Sequence, residues 1–142
     1  MSGTTPKKTL LKGSPIRKEG VAGAAITPGM LIDFDVNGEL VPHATATGFA
    51  SKYFAQEQDF LGKDIDTAYA DGDIVQYNVC PPGTEIYALL EASADAEKGE
   101  YLESASGGLL QVYTNGTIIA RALEDKDNSA GTAAVRIKVE VV

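Results

Sequence analysis

Residues 135–142 have the sequence VRIKVEVV, and this stretch decides the fold class. Apolar and charged side chains alternate from Val135 to Val141. Alternate residues of a β-strand point to opposite faces, so one face here is apolar and the other is charged. The stretch is therefore predicted to be a β-strand buried on one face, in a protein built from such strands.

The same period-two signal recurs toward the N-terminus, between turn residues. Ile32, Phe34 and Val36 alternate with aspartates and precede Asn37-Gly38, a dipeptide typical of a hairpin with a type I′ turn, in which both residues have positive φ. A second Asn-Gly pair at 115–116 predicts another hairpin. Further strands are predicted at 39–42, 49–56, 73–80, 85–90, 100–103, 109–114 and 117–122. A helical turn is expected near 64–69, and a short helix or an ordered loop at 92–98.

These signals predict a mostly-β fold with roughly eight or nine short strands, separated by glycine- and proline-rich turns. The expected architecture is a small antiparallel barrel or a sandwich. The sequence does not decide between the two, because period-two patterns do not encode strand order. Residues 21–142 are predicted to form a single β domain. Residues 1–20 are predicted to be an extended N-terminal arm, because Pro6, Pro15 and three glycines interrupt any regular pattern. Within the arm, residues 9–11 could form a short strand.

Charge is unevenly distributed along the chain, whose formal net charge is −8. Five of the 12 basic residues lie in the first 18 positions, where there is no acidic residue. The other 124 residues carry 7 basic and 20 acidic side chains, a balance of 7 − 20 = −13. Such a body repels nucleic acid and anionic membranes. The basic segment instead favours an acidic partner.

No apolar run approaches the roughly 20 residues that span a bilayer. The N-terminal lysines are not followed by the apolar stretch of a signal peptide. We therefore expect a soluble, unprocessed chain with no membrane partner.

Two chemically versatile residues occur once each. Cys80 ends an apolar run before Pro81, so a buried, unreactive thiol is expected. His43 follows Pro42 and has no acidic neighbour in sequence, so a surface or turn position is expected. A nucleophilic triad would depend on this one histidine as its base.

Asp-x-Asp pairs occur at 33/35, 64/66, 71/73 and 125/127. Two carboxylates on one face of a strand could hold a divalent cation. The nearest approach to a calcium loop, starting at Asp125, has Ala130 in place of the required glycine and Arg136 in place of the glutamate. No phosphate-binding loop motif is present. We expect no metal, no cofactor and no catalytic residue, and a binding protein rather than an enzyme.

Four segments carry a resemblance to a known family: 24–31 (AAITPGML), 41–46 (VPHATA), 69–77 (YADGDIVQY) and 99–104 (GEYLES). With their surroundings, from Gly13 to about Glu124, they resemble the small cement or decoration proteins of bacteriophage capsids. The resemblance implies a β-barrel or β-tulip-like body that often forms trimers, with an N-terminal arm that reaches across neighbouring capsid subunits. The implied function is that of a structural virion protein, made in the host bacterial cytoplasm, which binds the major capsid protein on the capsid exterior and stabilises the shell.

Charge and hydrophobicity select the arm residues expected to contact the shell: Lys7, Lys8, Leu10, Leu11, Ile16, Arg17 and Lys18. An extended arm can add backbone hydrogen bonds to an edge strand while its leucines fill pockets, and its cations favour an acidic surface. Two alternatives stay open. A small β-barrel module for a ligand or carbohydrate would bind without the arm. A small hydrolase or lyase with a carboxylate-based site between subunits would lose activity on Asp73→Asn.

Overall fold

The computed structural model describes residues 6–142, and nearly all regular structure in this range is β-strand. Thirteen strands are accompanied by one 3-10 helix, Asp59–Leu61. In chain order the strands are β1 (Leu10–Lys12), β2 (Ile16–Val21), β3 (Ile32–Phe34), β4 (Leu40–Pro42), β5 (Tyr53–Gln56), β6 (Ile74–Val79), β7 (Glu85–Leu90), β8 (Asp95–Ala96), β9 (Tyr101–Ser106), β10 (Leu109–Val112), β11 (Ile118–Ala122), β12 (Lys126–Asp127) and β13 (Val135–Val141). The mostly-β prediction is confirmed, with more strands than expected because several are very short. In the described range, no helix is long and apolar enough to cross a bilayer.

The largest sheet closes on itself as a barrel. Its strands follow the order β7-β10-β9-β11-β13, and β13 returns to pair with β7 from Val135↔Leu90 to Glu140↔Glu85. β10 meets β7 in a short parallel contact at Leu110 and Leu90, and the other pairings of this sheet are antiparallel. The sequence left open whether the fold is a barrel or a sandwich, and this sheet is a barrel.

The barrel interior is the main hydrophobic core. Along β13, Ile137, Val139 and Val141 are fully buried, whereas the residues between them are partly exposed. The strand predicted at 135–142 is therefore confirmed, with the expected face inward. Burying each of these side chains contributes about 1.5–3 kcal/mol, which makes β13 a major stabilising element.

A second layer consists of the three-stranded sheet β2-β6-β5 and the β3–β4 hairpin. Ile32 and Leu40 of the hairpin pack with Tyr77 of β6 in a second, smaller core. Phe54 of β5 and the neighbouring Leu31 belong to the main core instead. These two residues therefore join the layers.

The hairpin predicted at Asn37-Gly38 is present, but its predicted type I′ turn is wrong. Only Gly38 has a positive φ, 75°, whereas a type I′ turn needs two such residues. The carboxylate of Asp35 accepts hydrogen bonds of 2.9 Å from the amides of Asn37 and Glu39. This side chain therefore shapes the turn.

The second Asn-Gly pair does not form a hairpin. β10 and β11 lie on opposite sides of β9, so residues 113–117 cross over that strand. At 92–98 the chain forms β8, which pairs with β12, and no helix. No helix forms at 64–69, where a helical turn was expected: the Thr67 amide closes a simple turn onto the Asp64 carbonyl at 3.2 Å, and the 3-10 helix lies outside this range, at Asp59–Leu61.

The described part of the predicted arm is extended, but it lies against the body of the same chain. β1 pairs with β7, one residue later than the predicted short strand, and β2 pairs with β6. Between them Gly13 has φ 115°, and a β-carbon there would lie 3.3 Å from the Thr84 backbone. The division into an arm (1–20) and a single domain (21–142) stays a prediction, and residues 1–5 lie outside the described range.

Candidate functional site

Five of the seven residues predicted to contact a partner present their side chains to solvent. They are Lys7, Lys8, Ile16, Arg17 and Lys18. Within residues 6–142, no carboxylate lies within 4.0 Å of any of these four cations. Their charges are therefore not neutralised by close ion pairs inside the described fold. Contact with a partner stays a prediction for all seven.

The other two, Leu10 and Leu11, take part in the fold of this chain. Both are half-buried in β1, and Leu10 packs against the main core. Just before them, the amide and hydroxyl of Thr9 donate to the buried Glu57 carboxylate at 3.2 and 2.7 Å. The Thr9 carbonyl accepts a 2.7 Å hydrogen bond from the amide of Tyr87. β1 is thus held to the body at its N-terminal end.

A row of apolar side chains crosses the β2-β6-β5 sheet, starting at Ile16 of β2. Ile16 pairs with Val79, which pairs with Tyr53, so the three side chains share one face of the sheet. Phe34 continues the row, with its ring edge-on to Tyr53 and the centroids 6.2 Å apart. Ile16 is 63% exposed and Phe34 47% exposed. Lys18 lies on the same face, two residues further along β2, and apolar side chains beside an exposed cation make this a surface suited to another protein.

Two open grooves lie near this surface, one at the N-terminal residues and one at the β3–β4 hairpin. One, of about 500 Å³, includes Lys7, Asp64, Tyr87 and Arg136 in its lining. The other, of about 460 Å³, lies along the β3–β4 hairpin and is lined by Asp33, Phe34, Asp35, Val36, Val41, His43, Ala44 and Thr45. No group of three or more His, Cys, Asp or Glu side chains that could hold a metal occurs in the part of the chain that the structure describes.

His43 is buried, which corrects the predicted surface position. Its Nε2 lies 2.9 Å from the carbonyl oxygen of Phe49, and its Nδ1 lies 2.9 Å from Ser104 Oγ. A carbonyl only accepts, so Nε2 carries a hydrogen, and in the neutral ring Nδ1 accepts from the Ser104 hydroxyl. A Ser-His-Asp triad has a carboxylate where this ring meets a backbone carbonyl. The pair instead ties the loop after β4 to β9.

Cys80 is buried, as predicted. Burial raises the pKa of its thiol to about 12. The sulfur lies 3.5 Å from the carbonyl oxygen of Asn78, to which it donates a weak hydrogen bond. The thiolate, which is the reactive form, is therefore scarce at neutral pH.

The Asp-x-Asp pairs stabilise turns. In each pair at least one carboxylate accepts a hydrogen bond from a nearby backbone amide: Asp35, Asp64, Asp73 and Asp127. Hydrogen bonds from the Thr67 hydroxyl and the Asp66 amide lower the pKa of Asp64, and those from Ser129 lower the pKa of Asp127. Turn formation by short acidic side chains therefore explains this motif.

Glu57 and Glu103 are buried carboxylates that the sequence did not predict. Glu103 of β9 is fully buried and accepts hydrogen bonds from Gln111 Nε2 (2.6 Å), Thr114 Oγ1 (2.7 Å) and the Gly116 amide (2.7 Å). Burial raises its pKa, but these hydrogen bonds outweigh burial, so the pKa lies below its ordinary value. Glu103 thus holds the crossover between β10 and β11.

Arg136 also has a role that its sequence pattern hides. Its guanidinium donates to the carbonyls of Pro28 (2.6 Å), Ile65 (2.5 Å) and Tyr87 (3.3 Å), and only 13% of the side chain is exposed. Asp66 lies 3.7 Å away. The residue therefore joins β13 to two loops. From the sequence, Arg136, Lys138 and Glu140 were predicted only to form the solvent-exposed face of the strand.

Comparison with known proteins finds a structural match without a sequence match. No family model matches the chain, and no curated protein matches it. Among solved structures, the chain is similar to the N base of head fiber gp8.5 of bacteriophage phi29, with a TM-score of 0.59 and 13% sequence identity. The match covers 91% of this chain and 95% of that one. At this identity the similarity establishes the fold alone, over almost the full length of both chains.

Proposed function

We propose that this chain is a structural protein of a bacteriophage virion that binds the outer surface of the assembled capsid and stabilises it, as a cement or decoration protein. The observation that carries the proposal is the near full-length fold match to the base of a phage head fiber. The family resemblance of segments 24–31, 41–46, 69–77 and 99–104 supports the same assignment. Because one fold can serve many functions, the surface of this chain has to supply the rest of the argument.

The surface charges favour a protein shell as the partner. Lys7, Lys8, Arg17 and Lys18 are exposed on a chain whose net charge is −8. Exposed cations gathered within one short segment of an acidic protein steer it toward an acidic surface. The acidic remainder disfavours nucleic acid. The proposed partner is therefore the major capsid protein, at the exterior of the virion, and the proposed role needs no cofactor and no catalytic step.

Stabilisation of the shell follows from mass action. A protein that binds only the assembled capsid lowers the free energy of that state. Many copies on one lattice also give avidity, so each contact can be modest. A small, exposed basic surface is sufficient under these conditions.

Co-sedimentation with empty expanded heads of the source phage or prophage tests the proposal. The full chain should pellet with the heads in a saturable manner. The K7E/K8E variant should bind at least about tenfold more weakly, because it replaces two positive charges by two negative ones and so lowers the net charge by four units. K63E/K98E changes two other exposed lysines by the same total charge and should bind like the wild type. A wild-type chain that stays in the supernatant would refute the proposal.

A further inference from the structure

The outer edge of β2 is open. β2 pairs with β6 along one side, and within residues 6–142 no strand pairs with its other side between Ile16 and Gly20. Beyond this stretch, Ala22 bridges to Leu40 of the hairpin. An open edge presents unpaired backbone N–H and C=O groups to which another strand can be added.

The sequence of this edge is complementary to itself. Residues 15–21 are PIRKEGV, centred on Lys18. If two copies pair antiparallel with the Lys18 residues opposite each other, Arg17 faces Glu19 of the second copy and Ile16 faces Gly20. Opposite charges directly across a strand pair attract, and this happens twice in a symmetric dimer.

Symmetry limits the possible registers, and charge favours this one among them. A two-fold axis perpendicular to the sheet keeps the same face of both copies on one side. Residues opposite each other must therefore point to the same face in their own chains, so only some registers are possible. The two neighbouring symmetric registers place Arg17 opposite Arg17, or Glu19 opposite Glu19. Each of these has one pair of like charges and no pair of opposite charges, whereas the register centred on Lys18 sets two Arg17–Glu19 pairs against one pair of lysines.

Side-chain size agrees with the charges. Ile16 is 63% exposed, so its apolar surface lacks cover in the single chain. A β-carbon at Gly20 would lie 2.8 Å from Leu40 Cδ1, which shows that Leu40 already fills the space above Gly20. Ile16 of the second copy, placed opposite Gly20, would lie beside Leu40 and extend the second core.

We infer that this chain binds a second copy of itself through β2, antiparallel about a two-fold axis at Lys18, so that two three-stranded sheets continue as one sheet. The contact buries Ile16, forms two Arg17–Glu19 pairs and brings the two Lys18 residues together, which is its one unfavourable feature. A short strand pair buries little surface, so the dimer is weak. The inference goes beyond the proposed function, and variants at Lys7 and Lys8 leave the β2 contact unchanged.

Sedimentation velocity of the full chain, at concentrations up to about 1 mM, tests the inference by charge exchange. R17E and E19R each convert two attractive pairs into repulsive ones, so each variant alone should dimerise at least about tenfold more weakly. An equimolar mixture of the two should form a heterodimer, because one copy then carries acids at 17 and 19 and the other carries bases. K18T removes the repulsion at the axis and should tighten the dimer about threefold or more.

Matched controls change the same charges elsewhere. K63E and E97R make the same changes of charge as R17E and E19R, but at exposed residues outside β2. Apart from the general effect of net charge on association, these variants should dimerise like the wild type. A wild-type chain that stays monomeric at about 1 mM would overturn the inference. So would an oligomer of any size, a trimer included, whose dissociation constant is the same in R17E and E19R as in the wild type. If circular dichroism shows that one variant does not fold, the other variant and K18T still decide the outcome.

Discussion

Replacing Glu103 by glutamine tests the structural account at its most buried charge. The variant keeps the shape of the side chain and the oxygen that faces the Gly116 amide. It places an NH₂ group where Oε2 now accepts from Gln111 and Thr114. Both neighbours can rotate to accept instead, so charge-assisted hydrogen bonds become neutral ones.

The cost follows from the number of these bonds. A hydrogen bond to a charged group contributes about 1.5–3 kcal/mol and a neutral one about 0.5–1.5 kcal/mol. Three bonds therefore lose about 3 kcal/mol in total, of which burying a neutral amide rather than a charge recovers about 1 kcal/mol. The variant should be about 2 kcal/mol less stable than the wild type at pH 7. Its melting temperature should be roughly 4–8 °C lower.

The pH dependence gives a second readout. The pKa of Glu103 is lower in the folded than in the unfolded chain, where it is about 4.3. Its charge therefore stabilises the fold fully above the unfolded pKa, and this contribution is lost as the pH falls through the folded pKa. The gap between wild type and E103Q should shrink when urea unfolding is repeated below about pH 4.

Two results would refute this reasoning. One is an E103Q variant within about 0.5 kcal/mol of the wild type at pH 7, the range expected of a neutral surface change. The other is a gap that stays constant as the pH falls. E97Q removes the charge of an exposed glutamate and should leave stability unchanged, which makes it the matched control.

Three further predictions concern single residues. Long-range ¹H–¹⁵N spectra of His43, the only histidine, should show Nε2 as the protonated nitrogen of the neutral ring, and a protonated Nδ1 would contradict the geometry. Cys80 should react with a thiol reagent at pH 8 only after unfolding, and fast labelling of the native protein would contradict its burial. Arg136→Lys should lose about 2–4 kcal/mol in urea unfolding, because an ammonium on one atom cannot reach three carbonyls. A loss below about 0.5 kcal/mol would show that Arg136 does not hold the loops.

Local patterns predicted the strands well and their connections poorly. The strand at 85–90 and the alternation at 135–142 came from side-chain period, which is a property of neighbouring residues. Barrel closure depends on β13 pairing with β7, which no local pattern encodes. The hairpin predicted at Asn115-Gly116 is wrong for the same reason. Glu103, which is distant in sequence, accepts from the Gly116 amide and holds this pair in a crossover between non-adjacent strands.

The sequence indicated which cations are exposed, whereas their contact with a partner stays a prediction. The concentration of five basic residues in the first 18 positions, where there is no acid, pointed to the cations that lie exposed. The pairing of β1 with β7 was not predicted, since β7 lies more than 70 residues further along the chain and Glu57, which accepts from Thr9, is also distant in sequence. His43 was placed at the surface because Ser104, its buried partner, lies far away in sequence.

Calorimetric melting of empty expanded heads, with and without the chain, tests the central claim most directly. At a free concentration about 100 times its dissociation constant, a protein that binds only the assembled shell stabilises it by about 2.7 kcal/mol per site. The account predicts a higher melting transition with the wild-type chain and with K63E/K98E. With K7E/K8E at the same concentration the rise should be clearly smaller, because tenfold weaker binding leaves about 1.4 kcal/mol per site. A transition that does not move at saturating wild-type protein would contradict the proposed role as a capsid-stabilising protein.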